Sequence, residues 1–258
     1  MPGDLGAAGL RTEGLTVRYG GVVANDDVSI TVGTGEIVGL IGPNGAGKTT
    51  FVDAVTGFTR STGTVAVDDT DVSRLPAFRR RRAGLSRTWQ SGELFANLTV
   101  TQNVVTALRP GGLSALWRDI VVPRRRDTDA EVRNALETVG LGSAGATPAR
   151  DLTLGRQKLV GVARALGGNC RVLLLDEPAA GLDTEESREF ADRIRDISVR
   201  GIGVLLIDHD MSLVLGVCDR VYVMEFGKII FAGTPQEART DPAVIAAYLG
   251  APMETNDA

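Results

Sequence analysis

The sequence predicts an α/β fold in which helices cover both faces of a largely parallel sheet, and three observations support this. Short apolar runs alternate with segments of helical character along most of the chain, as is typical of parallel sheets. One strand-like run at residues 36–41, without a polar side chain after Glu36, leads into a glycine-rich turn and then a helical segment. The stretch from about residue 91 to 159 lacks clear strand patterns. We therefore expect a helical lobe inserted into an α/β core.

These patterns divide the chain into one domain with two flexible ends. We expect the α/β core, with an amino-terminal antiparallel β subdomain, in residues 13–90 and 160–250, and the helical subdomain in residues 91–159. Flexible tails are expected at residues 1–12 and 251–258. Strands are expected at residues 15–19, 28–32, 36–41, 64–67, 83–87, 172–175, 203–207, 220–224 and 228–231. Helices are expected at residues 129–139 and 184–200.

The composition of the 258-residue chain excludes several classes of protein. Its single histidine, His209, excludes a histidine-rich zinc site. Two cysteines, Cys170 and Cys218, cannot form a disulfide framework, which suits a reducing compartment. No apolar run approaches the roughly 18 to 20 residues that span a bilayer, and no secretory signal pattern begins the sequence. We therefore expect a soluble, cytoplasmic chain. The net charge of −4 argues against nucleic-acid binding over the whole surface.

A phosphate-binding loop is predicted at residues 42–49, which fit G-x-x-x-x-G-K-[ST] between a strand and a helix. Glycines let backbone N–H groups turn toward an anion, and the helix start adds the positive end of its dipole. Lys48 would reach the terminal phosphates and the Thr49 hydroxyl would ligate Mg²⁺. A chance match is the alternative, but Lys48 is one of only three lysines beside 25 arginines. The candidate nucleotide-binding residues here are Gly42, Pro43, Asn44, Gly45, Ala46, Gly47, Lys48, Thr49 and Thr50.

Two adjacent acids end the buried strand predicted at residues 172–175. Asp176 suits the surroundings of Mg²⁺, and Glu177 suits the polarisation of a water for attack on a γ-phosphate. A strand that merely ends in solvated acids is the alternative, and the phosphate loop in the same chain makes it the weaker one. His209 follows another apolar strand, at residues 203–207. Parallel strands end on one edge of a sheet, so its imidazole could reach the γ-phosphate, whereas a packing role is the commoner use of a lone histidine.

Together these residues resemble the ATP-binding subunit of an ABC transporter, whose fold is a P-loop NTPase (RecA-like) core. Residues 152–157, Leu-Thr-Leu-Gly-Arg-Gln, are similar to the family's signature sequence Leu-Ser-Gly-Gly-Gln. Thr153 keeps the hydroxyl and Gly155 the close backbone approach, whereas Leu154 and Arg156 depart from the pattern. The resemblance implies further site residues, namely Gln90 as the Q-loop residue and a magnesium ligand, Asp183 in the D-loop, His209 as the switch histidine, and Tyr19 stacking on adenine.

A finer resemblance is to the ATPases of branched-chain amino-acid importers. It rests on short sequence motifs at residues 87–90, 94–95, 98–100, 177–182, 208–211, 233–235 and 247–250. ATPases of lipopolysaccharide export carry a comparable carboxyl-terminal phrase, so export is the alternative. The resemblance implies ATP and Mg²⁺ as cofactors and ATP hydrolysis as the activity, with transport of branched-chain or other hydrophobic amino acids.

The resemblance also implies partners. A helix that begins near Thr153 presents free N–H groups and a positive dipole end, which form an anion site. In the family this helix end binds the γ-phosphate of ATP held by the opposite subunit. We therefore expect a second ATPase subunit, identical or homologous, and two transmembrane permease subunits. An extracytoplasmic solute-binding protein would act indirectly, and the chain would lie peripherally on the cytoplasmic face of the cell membrane.

Two other classes of protein are weighed against this one. The basic runs at residues 79–82 and 124–126 are the only support for an ABC ATPase acting on nucleic acid or the ribosome. The chain has one phosphate loop and no sustained heptads, so we prefer a solvated helix face for these arginines and expect no nucleic-acid partner. A P-loop kinase or GTPase is excluded, since the guanine-reading pattern Asn-Lys-x-Asp is absent.

Overall fold

Strands and helices alternate along the part of the chain that the computed structural model describes, namely residues 8–88, 94–108, 125–208 and 211–249. The strands are β1 (Ala8–Tyr19), β2 (Val22–Val28), β3 (Thr31–Gly33), β4 (Ile37–Ile41), β5 (Thr62–Val67), β6 (Thr70–Asp71), β7 (Leu85–Arg87), β8 (Val172–Asp176), β9 (Gly203–Ile207), β10 (Arg220–Glu225) and β11 (Lys228–Gly233). The helices are α1 (Lys48–Thr56), α2 (Ala77–Arg82), α3 (Val100–Leu108), α4 (Arg125–Thr138), α5 (Leu154–Leu166), α6 (Thr184–Val199), α7 (Met211–Val217), α8 (Pro235–Thr240) and α9 (Pro242–Leu249). Within these ranges no helix combines the length and the apolar character that a membrane span requires.

The larger of two sheets has six strands in the order β11-β10-β4-β9-β8-β7. All neighbouring pairs are parallel except β10 and β11. The central strands β4, β8 and β9 are buried along their whole length, which explains why their sequences are continuously apolar. Ile207 is in register with Leu40 on one side and with Asp176 on the other. The residues that follow β4, β8 and β9 therefore lie at one edge of the sheet.

The smaller sheet is antiparallel and has the order β2-β1-β5-β6, with β3 also paired to β1. The sequence predicts one strand at residues 28–32, but the structure divides it between β2 and β3. The reason is that the N–H of Ile30 donates to the hydroxyl of Thr12 (2.8 Å) instead of continuing the ladder. Residues 8–12 belong to β1, in which Ala8 pairs with β3 and residues 10–12 pair with β5. Strand structure is therefore present within the range 1–12 that the sequence assigned to a flexible tail.

Two hydrophobic clusters cover the two faces of the large sheet. Val38 and Leu40 point to one face, where they join α1 and the antiparallel sheet around Phe51. Ile37 and Ile41 point to the other face, where helices α3 to α8 pack. This layering confirms the predicted α/β fold with an antiparallel β subdomain and a helical part.

The described part of the region between β7 and β8 contains helices, turns and one isolated β-bridge between Thr99 and Pro148, but no longer strand. It holds α3, α4, two short 3₁₀ helices at Gly142–Ala144 and Ala149–Asp151, and α5. Helix α5 continues to Leu166, past residue 159, where the sequence placed the subdomain boundary.

The basic run at residues 79–82 forms α2, and it is not simply a solvated face. Arg80 is buried, and its guanidinium donates to the carbonyls of Ala54 (2.9 Å) and Val55 (2.7 Å) in the last turn of α1. It also donates to the carbonyl of Ser73 (2.7 Å). Arginine near a helix carboxyl end satisfies carbonyls that the helix leaves unpaired. The preference for a solvated face was therefore wrong for Arg80, which holds the end of the helix that follows the phosphate loop.

Candidate active site

The predicted phosphate loop connects β4 to α1 at the carboxyl edge of the large sheet. Gly42 and Gly47 have φ angles of 151° and 105°, in or near the left-handed region that only glycine adopts easily. A Cβ on Gly42 would lie 2.1 Å from the carbonyl oxygen of Met224, and one on Gly47 would lie 2.6 Å from that of Ala24. Glycine is therefore required at both positions, because the adjacent backbone of β10 and β2 leaves no room for a Cβ.

The tip of the loop is open to solvent. Asn44 and Gly45 are exposed, and nothing lies within 4 Å of a Cβ built on Gly45. Thr49 is also exposed, and Thr50 is half-buried, in the first turn of α1. The N-cap residue of α1 is Gly47, which provides no side-chain cap. The start of the helix is thus left available for an anion.

Lys48 folds back over the loop. Its Nζ donates to the carbonyls of Gly42 (2.7 Å) and Pro43 (3.0 Å). Burial lowers the pKa of Lys48 below its usual value, while the carboxylates of Glu177 and Asp176 act in the opposite direction. Lys48 therefore lies near enough to the acids at the end of β8 to interact with them electrostatically.

Asp176 ends β8 in a buried position and is bound by an arginine. The guanidinium of Arg87, at the end of β7, donates to Asp176 Oδ2 (2.7 Å) and to Asp53 Oδ1 on α1 (2.5 Å). Burial raises the pKa of Asp176, although Arg87 acts in the opposite direction. Asp176 Oδ1 is buried and has no hydrogen-bond partner among the residues that the structure describes. Arg87 and Asp53 were not among the predicted site residues.

Glu177 leaves the strand in an unusual backbone conformation. Its φ is 46°, and its N–H donates to the carbonyl of Ile207 on β9 (2.7 Å). Left-handed backbone at a residue other than glycine costs roughly 1–2 kcal/mol and is common at functional sites. The turn directs the chain away from the sheet immediately after Asp176, so the two neighbouring acids have different surroundings.

The end of β9 contributes Asp208, which is fully buried and accepts a hydrogen bond from the N–H of Ala179 (3.2 Å). This contact joins the chain after Glu177 to the strand that precedes His209. Two predicted site residues, His209 and Gln90, lie outside the described residues. Their roles remain predictions.

The signature-like segment starts α5, with Thr153 as its N-cap. The sequence led us to expect free N–H groups here, but two of them are hydrogen-bonded. The Thr153 hydroxyl accepts from the N–H of Arg156 (3.5 Å), and the N–H of Gly155 donates to Glu186 Oε1 on α6 (3.0 Å). A Cβ on Gly155 would lie 3.1 Å from that of Glu186. Within the described part of the chain, no hydrogen bond joins Thr153 or Gly155 to the phosphate loop.

Two further predicted residues have clear positions. Asp183 is the N-cap of α6, and its Oδ1 accepts from the N–H groups of Glu185 (2.9 Å) and Glu186 (2.8 Å). Tyr19 ends β1 with a 53% exposed side chain, and its hydroxyl lies 3.2 Å from that of Thr59. An exposed aromatic ring at this place is available for stacking, and no described contact links it to the loop.

A cleft runs from the two acids between the core and the helical region. Three exposed phenylalanines, Phe58, Phe78 and Phe95, line it together with Asp176 and Glu177. Lys158 on α5 also lines the cleft, and burial lowers its pKa while Asp208 and Glu177 oppose this change. Lys158 was not predicted as a site residue, although its rarity as a lysine was a signal that could have identified it.

A strand–glycine loop–helix unit with a buried lysine, and acids at the end of another parallel strand of the same sheet, define a P-loop ATPase. Comparison with known proteins identifies the family. The family described as "ABC transporter" matches residues 25–180, and the one described as "Branched-chain amino acid ATP-binding cassette transporter" matches residues 228–253. The chain therefore belongs to the ABC transporter family, as an ATPase of that family.

Individual relatives agree with this assignment. The high-affinity branched-chain amino acid transport ATP-binding protein LivG of Salmonella typhimurium strain LT2 is 40% identical over 249 residues, which cover 93% of this chain and 97% of LivG. The lipopolysaccharide export system ATP-binding protein LptB of Acidithiobacillus ferridurans is 37% identical over 242 residues, covering 93% and 96%. The ADP conformation of MJ1267, an ATP-binding cassette of an ABC transporter, superposes with a TM-score of 0.83 at 30% identity, covering 95% and 99%. The resemblance to importer ATPases is confirmed.

Proposed function

We propose that this chain is the ATP-hydrolysing subunit of an importer for branched-chain or other hydrophobic amino acids. The observation that carries the proposal is the 40% identity to LivG over nearly the whole of both chains. The match of residues 228–253 to a branched-chain amino acid transporter family supports the same substrate class.

In this proposal the loop at residues 42–49 holds the phosphates of ATP. Its open tip and the uncapped start of α1 supply N–H groups, and Lys48 exchanges its contacts with Gly42 and Pro43 for the terminal phosphates. Charge-assisted hydrogen bonds of this kind contribute about 1.5–3 kcal/mol each. Tyr19 would stack on the adenine.

The residues present suit a magnesium ion, which would neutralise charge on the bound phosphates. Asp176 Oδ1 is a buried carboxylate oxygen with no partner in the described structure, and the exposed hydroxyl of Thr49 lies in the first turn of α1. Oxygen donors of this type are those that Mg²⁺ prefers. We propose that Thr49, Asp176 and Gln90 hold the ion, directly or through water.

Hydrolysis would use Glu177 as the group that polarises the attacking water. Its backbone turn gives it surroundings different from those of Asp176, which is held by Arg87. Of these two acids, Glu177 would therefore be the one that accepts a proton from water. His209, which follows Asp208 at the same edge of the sheet, would contact the γ-phosphate.

A second ATPase subunit would complete the site. We propose that Thr153 and Gly155 at the start of α5, with Asp183 nearby, contact the γ-phosphate of ATP bound by the partner. Each subunit would then close on ATP and separate after hydrolysis. In the described residues no hydrogen bond joins this helix start to the chain's own phosphate loop, which is consistent with a role toward a partner's nucleotide.

Two transmembrane permease subunits would transmit this cycle, with the chain bound at the cytoplasmic face of the membrane and a solute-binding protein acting outside. The cleft with Phe58, Phe78 and Phe95 is the proposed permease contact. Exposed aromatic groups gathered in one cleft mark interaction surfaces, and Glu177 lines the same cleft.

The test is uptake of radiolabelled leucine by cells of the source organism that lack this chain. Restoration by the wild-type chain but not by Lys48→Ala would support the proposal. Lipopolysaccharide export is the second candidate, because LptB is 37% identical. Normal leucine uptake together with a loss of surface lipopolysaccharide in the deletion strain would indicate that the chain serves export and not import.

A further inference from the structure

Arg87 joins two elements of the candidate site through one guanidinium group. One nitrogen donates to Asp53 on α1 (2.5 Å) and another donates to Asp176 at the end of β8 (2.7 Å). We call these three side chains the Arg87 bridge. The contacts connect the helix that follows the phosphate loop with the strand that carries the acids.

Two of the three side chains of the Arg87 bridge are enclosed, which restricts their geometry, whereas Asp53 is 31% exposed. The side chains of Arg87 and Asp176 are only 8% and 2% exposed. A planar guanidinium can bind two carboxylates at once along fixed directions, whereas a lysine ammonium acts as a single compact charge. The site therefore uses a property that is specific to arginine.

The bridge also distinguishes the two oxygens of Asp176. Oδ2 is engaged by Arg87, and Oδ1 is buried with no hydrogen-bond partner in the described part of the chain. Rotation of the carboxylate would break the bond to Arg87. The orientation of Asp176 is thus set before any nucleotide binds.

We propose that Arg87 is a positioning residue for the magnesium site, which holds Asp176 so that Oδ1 is left for the ion and its water shell. This inference rests on the proposed function in one respect, the assignment of Asp176 to magnesium. It adds a residue that acts through Asp176 and touches neither nucleotide nor metal.

Two alternative roles of Arg87 predict different effects of magnesium on nucleotide binding. If Arg87 only stabilised the fold, its loss would weaken nucleotide binding with and without magnesium alike. If its positive charge competed with the ion for Asp176, its loss would strengthen magnesium-dependent binding. The dependence of binding on magnesium separates these cases.

The experiment measures the affinity of the full-length chain for a fluorescent ADP, once with Mg²⁺ and once with EDTA. The ratio of the two affinities is the magnesium gain. In Arg87→Gln we expect this gain to fall roughly tenfold, within the usual range of coupling between two ligands, while the affinity in EDTA stays within about twofold. Arg87→Lys, which keeps the charge but not the fork, should recover only part of the gain.

The matched control is Arg81→Gln, which removes a half-buried arginine that donates to the carbonyls of Ala165 and Gly167. Its magnesium gain should equal that of the wild type. A gain in Arg87→Gln that equals or exceeds the wild-type value would overturn the inference, and if that variant does not fold, the same criterion applies to Arg87→Lys. A wild-type chain that binds ADP without any magnesium gain would instead refute the magnesium site of the proposed function, and the inference with it.

Discussion

The N–H of Gly155 donates to Glu186 Oε1 at 3.0 Å, so a carboxylate of the same chain sits at the start of the signature-like helix α5. An isolated subunit therefore already holds a negative group where the proposed function places a phosphate of the partner's ATP. Formation of the ATP-bound dimer would have to displace this carboxylate. The contact gives the first prediction.

Glu186→Gln should strengthen ATP-dependent dimerisation several-fold, because a neutral amide binds the Gly155 N–H less strongly than a carboxylate does. Dimer formation is followed by analytical ultracentrifugation with Mg·ATP in a Glu177→Gln background. Glu185→Gln, which changes an exposed neighbour in the same helical turn, serves as the control. Dimerisation that is unchanged or weaker in Glu186→Gln would show that its carboxylate does not compete with ATP.

Arg156 follows Gly155 and is exposed, at a position where the family pattern has glutamine. If it adds positive charge beside the partner's phosphates, Arg156→Gln should weaken ATP-dependent dimerisation several-fold and make it less sensitive to salt. The same measurement at two salt concentrations tests this, with the exposed Arg188→Gln as control. Equal dimerisation by Arg156→Gln and wild type would mean that Arg156 points elsewhere.

The protonation of Lys48 predicts how nucleotide binding depends on pH. Only the charged ammonium attracts phosphate, and burial lowers the pKa of Lys48 below the usual 10.5. Affinity should therefore fall as the pH rises through this lowered pKa, at a lower pH than for an ordinary lysine. Titration of fluorescent ATP between pH 7 and 11, a range that extends past the ordinary lysine pKa, measures this fall in affinity.

Lys48→Ala provides the comparison for this titration. Its affinity should be weaker at neutral pH by about tenfold or more, equivalent to one charge-assisted hydrogen bond, and should lack the fall attributed to Lys48. A wild-type affinity that does not change over this range, or a Lys48→Ala variant that binds normally, would show that Lys48 does not bind the phosphates.

The phosphate loop and the acids could be predicted because each depends on neighbours along the chain. An apolar strand, a glycine-rich turn and a lysine occur together in residues 36–49, and Asp176 and Glu177 directly follow another apolar strand. Such local patterns also predicted the α/β fold, since strands that are buried on both faces are continuously apolar.

The partners of these groups could not be predicted in the same way. Arg87 lies 34 positions from Asp53 and 89 from Asp176, and they meet because β7 pairs with β8 and α1 contacts β7. Glu186 reaches Gly155 from 31 positions away. Such long-range contacts cannot be inferred from a single sequence. Because the chain has many arginines, their positions in the sequence also do not show which arginine side chains are buried.

The central claim is that Glu177 polarises the water that attacks ATP in the site built by residues 42–49 and Asp176. The most direct measurement is phosphate release by Glu177→Gln at saturating Mg·ATP, with fluorescent-ATP binding measured in parallel and the exposed Glu189→Gln as control. Turnover should fall by at least about 100-fold, the usual contribution of a general base, while ATP binding stays within about twofold and Glu189→Gln hydrolyses normally. Undiminished phosphate release by Glu177→Gln would contradict the claim.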